Sequence, residues 1–102
     1  MRELDEARDW MLTLGRKNAL ERVASYLLLI ANYVDPTAQS DSNVVAFELP
    51  MSRLEIADFL GLTIETVSRQ LTKLRADGVI QVKQSRHIAI SSRTRLRAFS
   101  GC

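Results

Sequence analysis

The chain has 102 residues, 46% of them hydrophobic and 25% charged, which is one globular domain's worth of sequence and not the composition of a disordered tail. Its longest apolar run, Tyr26–Ala31, is far too short to cross a bilayer, and nothing near the N-terminus reads as a signal peptide. One cysteine, Cys102, excludes an internal disulfide, so a reduced, cytoplasmic setting is expected. Net charge is +2, but residues 1–51 carry five Lys/Arg against eight Asp/Glu and residues 52–102 carry nine against four. A basic second half points weakly toward a polyanion on one side of the molecule.

In chain order, Arg2–Leu14 predicts a helix with Leu4, Ala7, Met11 and Leu14 on a heptad stripe, the seam of a coiled coil, stopped at Gly15. A second helix is expected over residues 17–33, with Leu20, Val23, Ala24, Leu27, Leu28 and Ala31 on one face, ended by Asp35-Pro36. The polar stretch Thr37–Asn43 reads as a loop, and β-branched, apolar Val44–Leu49 as a strand.

Ser52-Arg53-Leu54-Glu55 is a capping box for a short helix expected to bury Leu54, Ile56, Ala57 and Leu60 and to stop at Gly61. Thr63 then caps a helix to about Asp77, with Val67, Leu71 and Leu74 inward. After the Asp77-Gly78 turn, Val79–Lys83 and His87–Ile90 form a hairpin around Gln84-Ser85-Arg86, and Ser92 caps a last basic helix, Arg93–Phe99. The fold class is therefore mainly α with a small β-hairpin, a winged helix–turn–helix.

Two short helices joined by a tight Gly turn and followed by a hairpin are the arrangement that lays its second helix in a DNA major groove. Opposite the inward residues, that helix offers Glu65, Ser68 and Arg69 near its N-terminus, with Lys73 a turn further on. Arg can donate two hydrogen bonds to guanine, a carboxylate accepts from cytosine, and Ser pairs with either kind of edge. Glu65 and Arg69 also stand at the i, i+4 spacing of an ordinary helix ion pair, which a solvated helix would show without any partner.

The stretch Leu49-Pro-Met-Ser-Arg-Leu-Glu-Ile-Ala-Asp-Phe-Leu-Gly-Leu-Thr-Ile-Glu-Thr-Val-Ser-Arg-Gln-Leu71 resembles the C-terminal domain of the Crp–Fnr superfamily of bacterial transcription regulators. The Glu-x-x-Ser-Arg pattern at Glu65, Ser68 and Arg69 is similar to the Fnr and FixK branches, whereas the cyclic-AMP receptor branch usually has Gly at the position of Ser68. The resemblance extends over essentially the whole chain. It implies a homodimer that reads a palindrome of TTGAT-type half-sites, with Arg69 on guanine, Glu65 on the cytosine side and Ser68 on an outer T. It further implies phosphate contacts from Thr63 and Thr66 at the helix N-terminus, from Ser52 and Arg53 on the preceding helix, from Lys73, and from Lys83, Ser85 and Arg86 on the wing.

By the same resemblance, residues 1–15 are the end of a dimerisation helix carrying Leu4, Ala7, Met11 and Leu14, and residues 16–102 are the DNA-binding domain. Family members also carry an N-terminal β-roll sensor domain that these residues do not contain, so the chain is expected to be a fragment whose dimer is weak. RNA polymerase is a partner implied by the family.

Two other classes compete. A winged helix also serves as a protein–protein interaction module, but such a module has no reason to keep the Glu65/Ser68/Arg69 face together with a basic wing. An enzyme is disfavoured: the single histidine, His87, falls in a wing strand, and the sequence shows no metal-ligand spacing, phosphate loop or nucleophile–base pair. No catalytic residue, metal or cofactor is implied, and no membrane association.

Overall fold

Asn18 opens the first helix by a reciprocal cap: its Oδ1 accepts from the Glu21 N–H and Glu21 Oε1 accepts from the Asn18 N–H, both at 2.8 Å. The computed structural model describes residues 17–34, 45–84 and 86–101. The elements are α1 (Ala19–Val34), β1 (Val45–Glu48), α2 (Arg53–Leu60), α3 (Ile64–Ala76), β2 (Ile80–Lys83), β3 (His87–Ile90) and α4 (Arg93–Phe99). The expected dimerisation helix with Leu4, Ala7, Met11 and Leu14, the loop at 37–43, Val44, Ser85 and Cys102 lie outside the described residues.

α1 is the frame. Its stripe Val23, Ala24, Leu27, Leu28 and Ala31 is buried against α4 on one side and α3 and β1 on the other. Ser25 and Tyr26 are buried as well, because neighbouring elements wrap further round the helix than the apolar stripe alone announces. The Tyr26 ring meets Phe59 of α2 edge-on, with centroids 5.9 Å apart. At the far end Arg93, only 6% exposed, donates from Nη2 to the Ala31 carbonyl at 3.3 Å and from Nη1 to Asn32 Oδ1 at 3.2 Å. A buried cation there meets the carbonyls left over in a helix's last turn.

The strands form a three-stranded antiparallel sheet in the order β1-β3-β2. Ile90 stands between Val45 and Ile80, and Ile88 between Phe47 and Val82, so one face carries the apolar residues toward the core. The other face shows Ala46, Glu48, Gln81, Lys83, His87 and Ala89. The strand expected near residues 44–49 is thus the third strand of the wing sheet, and it covers one edge of the hairpin.

The helix–turn–helix is built by local chemistry. Glu55 N–H donates to Ser52 Oγ at 3.2 Å and Ser52 N–H to Glu55 Oε1 at 3.0 Å, the capping box legible in the sequence. α2 ends at Gly61, whose φ of +69° and ψ of 35° lie in the left-handed region, and Leu62 N–H reaches back to the Ala57 carbonyl at 2.8 Å. One expectation fails here. Leu54 is 56% exposed, not buried. At roughly 100° per residue, the inward arc of α2 runs through Arg53, Ile56, Ala57 and Leu60, and Leu54 falls beyond its edge. The half-buried side chain at the start of the helix is Arg53.

Candidate nucleic-acid interface

α3 presents two faces. Val67, Leu71 and Leu74 are buried in the core, while Glu65, Ser68, Arg69 and Lys73 are exposed on the opposite side. The ion pair that i, i+4 spacing allows between Glu65 and Arg69 is not formed, so both side chains face outward without engaging one another. An unengaged carboxylate and guanidinium one turn apart can each meet a base edge.

At the N-terminus of α3, Thr63 Oγ1 accepts from the Thr66 N–H at 3.2 Å and donates to Thr66 Oγ1 at 2.8 Å. A hydroxyl has one proton and two lone pairs, so Thr66 keeps its own proton for an outside acceptor. This end of the helix also carries unsatisfied N–H groups and the positive end of the helix dipole, which favour an anion. The two threonines expected to bind phosphate are therefore held together by one another.

The other expected phosphate ligands come from neighbouring elements. Ser52 caps α2 through its lone pair, and Arg53 follows it half-buried. Desolvation lowers the Arg53 pKa from its ordinary value, yet a guanidinium remains charged at neutral pH. Lys83 and Arg86 are exposed at the wing tip, where Gln84 takes a positive φ of 54° to turn the chain. Arg86 Nε stands 3.8 Å from Glu48 Oε1, an exposed contact of the kind worth little in water. The Arg86 charge also acts on Glu55, whose pKa is lowered first by the Ser52 backbone N–H, then by the Ser52 side chain, and less by Arg86. Leu49 N–H donates to the Arg86 carbonyl at 2.8 Å, which sets the wing tip beside the chain three residues before Ser52 and brings Ser52, Arg53 and Arg86 into one region. Ser85 lies outside the described residues.

Thr72 and Arg75, which sequence reading passed over, line a cleft with Arg53 and Ser68. The signal was present as the spacing 68, 72, 75 along one flank of a helix, but nothing local showed that β2 and the start of α2 close the other walls. Among the described residues there is no cluster of three metal-ligating side chains, and no helix is long and apolar enough to cross a membrane.

Residues 21–99 match the Crp-like helix-turn-helix domain. The chain is 59% identical over 90 residues to a probable transcriptional activator of Rhizobium leguminosarum bv. viciae, covering 88% of this chain and 36% of the relative. It is 48% identical over 100 residues to the transcriptional activator protein FnrL of Cereibacter sphaeroides, covering 97% of this chain and 40% of the relative. Among solved structures, FixK2 from Bradyrhizobium japonicum superposes with a TM-score of 0.79 at 42% identity, over 98% of this chain and 47% of that one. The chain thus spans less than half the length of the relatives it matches, and those relatives bear the names of transcriptional regulators and not of enzymes. With the fold, the exposed Glu-x-x-Ser-Arg face and these likenesses in agreement, the chain belongs to the Crp-like helix-turn-helix family, on its FixK-like branch.

Proposed function

We propose that this chain is a sequence-specific DNA-binding unit of a cytoplasmic transcription regulator, and that it works as a homodimer on a palindrome of TTGAT-type half-sites. The observation that carries the reading is the exposed Glu65, Ser68 and Arg69 on the face of α3 opposite its buried residues. In this reading α3 enters the major groove. Arg69 donates to guanine O6 and N7, Glu65 accepts from a cytosine amino group, and Ser68 meets an outer T. Ser52, Arg53, Thr63, Thr66, Lys73, Lys83, Ser85 and Arg86 meet the sugar–phosphate strands, setting register and supplying affinity without reading sequence.

Two such units read half-sites about 34–36 Å apart, one turn of the duplex. Residues 1–15, with Leu4, Ala7, Met11 and Leu14, are the dimerisation segment in this reading, and residues 16–102 the reading domain. RNA polymerase is the partner through which bound dimers affect transcription.

The test is fluorescence anisotropy with a TTGAT-N4-ATCAA duplex and a scrambled duplex of equal length, each at two salt concentrations. Tighter binding to the palindrome, with both affinities falling as salt rises, is the expected result. Absence of binding to either duplex at low salt would overturn it and leave a winged-helix interaction module as the better account.

A further inference from the structure

His87 is the chain's only histidine, and neither the recognition helix nor the caps give it a role. It opens β3, where the sheet register sets it between Glu48 of β1 and Lys83 of β2. Residues directly opposite one another in antiparallel strands point to the same face, with Cβ atoms about 5 Å apart. The three therefore form a row across the outer face of the wing sheet, and all three are exposed.

The next row on that face is Ala46, Ala89 and Gln81. Two methyl groups side by side leave a groove of about 300 Å³, with Glu48, Gln81, Lys83 and His87 around them. The imidazole is thus open to a partner, and among the described residues it makes no hydrogen bond or ion pair.

The charged groups around it come from three places: Glu48 on β1, Lys83 on β2, and Arg86 just before it in the chain. Glu48 lies toward Arg86, whose Nε stands 3.8 Å from Glu48 Oε1, and not within ion-pair distance of the ring. Two cations and one carboxylate leave one positive charge while the ring is neutral, and a proton on the ring adds a second. Imidazole is the side chain that ordinarily gains its charge between about pH 8 and pH 5. A protonated ring has two N–H donors and no acceptor, which suits the oxygens of a phosphate.

Placement supplies the phosphate. Lys83 and Arg86 are wing contacts to the sugar–phosphate strands in the reading above, so a strand that reaches both passes within reach of the ring between them.

We propose that His87 is a proton-dependent phosphate ligand of the wing: charged, it holds a DNA backbone phosphate beside Lys83, and neutral, it gives up most of that hold. The proposal rests on the DNA-binding reading above and adds to it a residue that neither motif nor capping chemistry assigns. The sign follows from linkage. A phosphate favours the imidazolium over the neutral ring, so binding takes up protons and affinity rises as pH falls. His87 contributes to affinity and to salt dependence, and not to the choice of bases.

The test compares wild type, His87→Gln and His87→Lys on the palindromic and scrambled duplexes between about pH 7.5 and pH 5.5, each across a salt series. Carboxylates, amines and thiols ordinarily titrate outside that range. Wild type is expected to bind both duplexes more tightly at the acid end, by up to about fivefold for each protomer. Its slope of log affinity against log salt should steepen by up to about 0.9 per protomer, or about 1.8 for a dimer. His87→Gln should stay near the wild-type affinity of pH 7.5 throughout, and His87→Lys near that of pH 5.5. Wild-type affinity that does not change with pH would overturn the role of His87, and so would His87→Gln with the wild-type pH dependence. A pH effect confined to the palindrome would also overturn it, by making His87 a base reader. Wild type binding neither duplex at low salt at either pH would overturn this proposal together with the DNA-binding reading, which separates that failure from one confined to His87.

Discussion

Arg95 Nη2 donates to the carbonyl of Asp77 at 2.8 Å, so the last helix holds the C-terminal end of α3. Asp77 is the C-cap of that helix, and Gly78, at a φ of +75°, turns the chain away so that Val79 N–H can reach the Leu74 carbonyl at 3.1 Å. The cation from α4 therefore meets the negative end of the α3 dipole. Arg95→Ala should lower stability by about 1 kcal/mol, read as a shift of the urea midpoint at unchanged m-value. A variant as stable as wild type would show that water satisfies the Asp77 carbonyl equally well.

Arg69 is exposed and, among the described residues, joined to no carboxylate, so its removal should be silent in folding and loud in recognition. Arg69→Ala is expected to leave the melting temperature within a degree or two of wild type while losing roughly 1–3 kcal/mol of preference for the palindrome over the scrambled duplex. Binding to the scrambled duplex should change far less. Equal loss on both duplexes would reassign Arg69 to the backbone.

Gly61 occupies a conformation that an L side chain resists, and a Cβ there would stand 3.4 Å from Arg22 Nη1. That guanidinium group also donates to the Leu60 carbonyl at 3.0 Å, tying the end of α2 to α1. Gly61→Ala should cost about 1–2 kcal/mol, chiefly from the left-handed backbone. Thermal unfolding is the check, and an unchanged melting temperature would mean that the turn relaxes to another geometry.

Glu55 gives a pH prediction. Its carboxyl is held below the ordinary value of 4.5, first by the Ser52 backbone N–H. A depressed folded-state pKa means stability that is present above the unfolded value and disappears as pH falls through the folded one. The stability difference between wild type and Glu55→Gln should therefore be constant above about pH 5 and shrink on acidification below that. Urea midpoints at a series of pH values measure it. A difference that persists undiminished at pH 2 would show that the charge is irrelevant to the cap.

Tyr26 carries a buried hydroxyl with no hydrogen-bond partner among the described residues, and burial, then the charge of Glu55, raises its pKa from 10.0. Tyr26→Phe keeps the ring against Phe59 and removes a desolvated polar atom. Stability should be unchanged or higher by up to about 1 kcal/mol. A loss larger than that in calorimetry would reveal a partner for the hydroxyl.

The helix starts were legible because caps are local. Ser52 with Glu55, Thr63 and Ser92 each announce a helix within four residues, and each caps it in the structure. The inward face of α3 followed from periodicity for the same reason. Leu54 misled because five apolar residues in an eight-residue helix leave the buried arc underdetermined, and the actual arc includes Arg53. The pairing of β1 with β3 joins residues some forty positions apart, Val45 with Ile90 at the widest, and no local pattern carries that information. Arg93 read as one residue of a basic helix, yet its buried slot exists only where α4 crosses the end of α1. The Arg53–Arg75 cleft was hidden for the same reason, since its walls meet only after the sheet has docked on the helices.

The meeting of Lys17 and Ser100 has a kinetic side. The Lys17 ammonium and the Ser25 hydroxyl both donate to the Ser100 carbonyl, across separations of 83 and 75 residues. Arg93 likewise reaches Ala31 across 62. Helices that form within microseconds must therefore wait on loop closures of nearly the whole described length before α1 is covered on both sides. On a ribosome, α1 emerges before α4 and holds an uncovered apolar flank until α4 has been synthesised. Its early partner is α3, so the helix–turn–helix half of the molecule can assemble before the half that locks it.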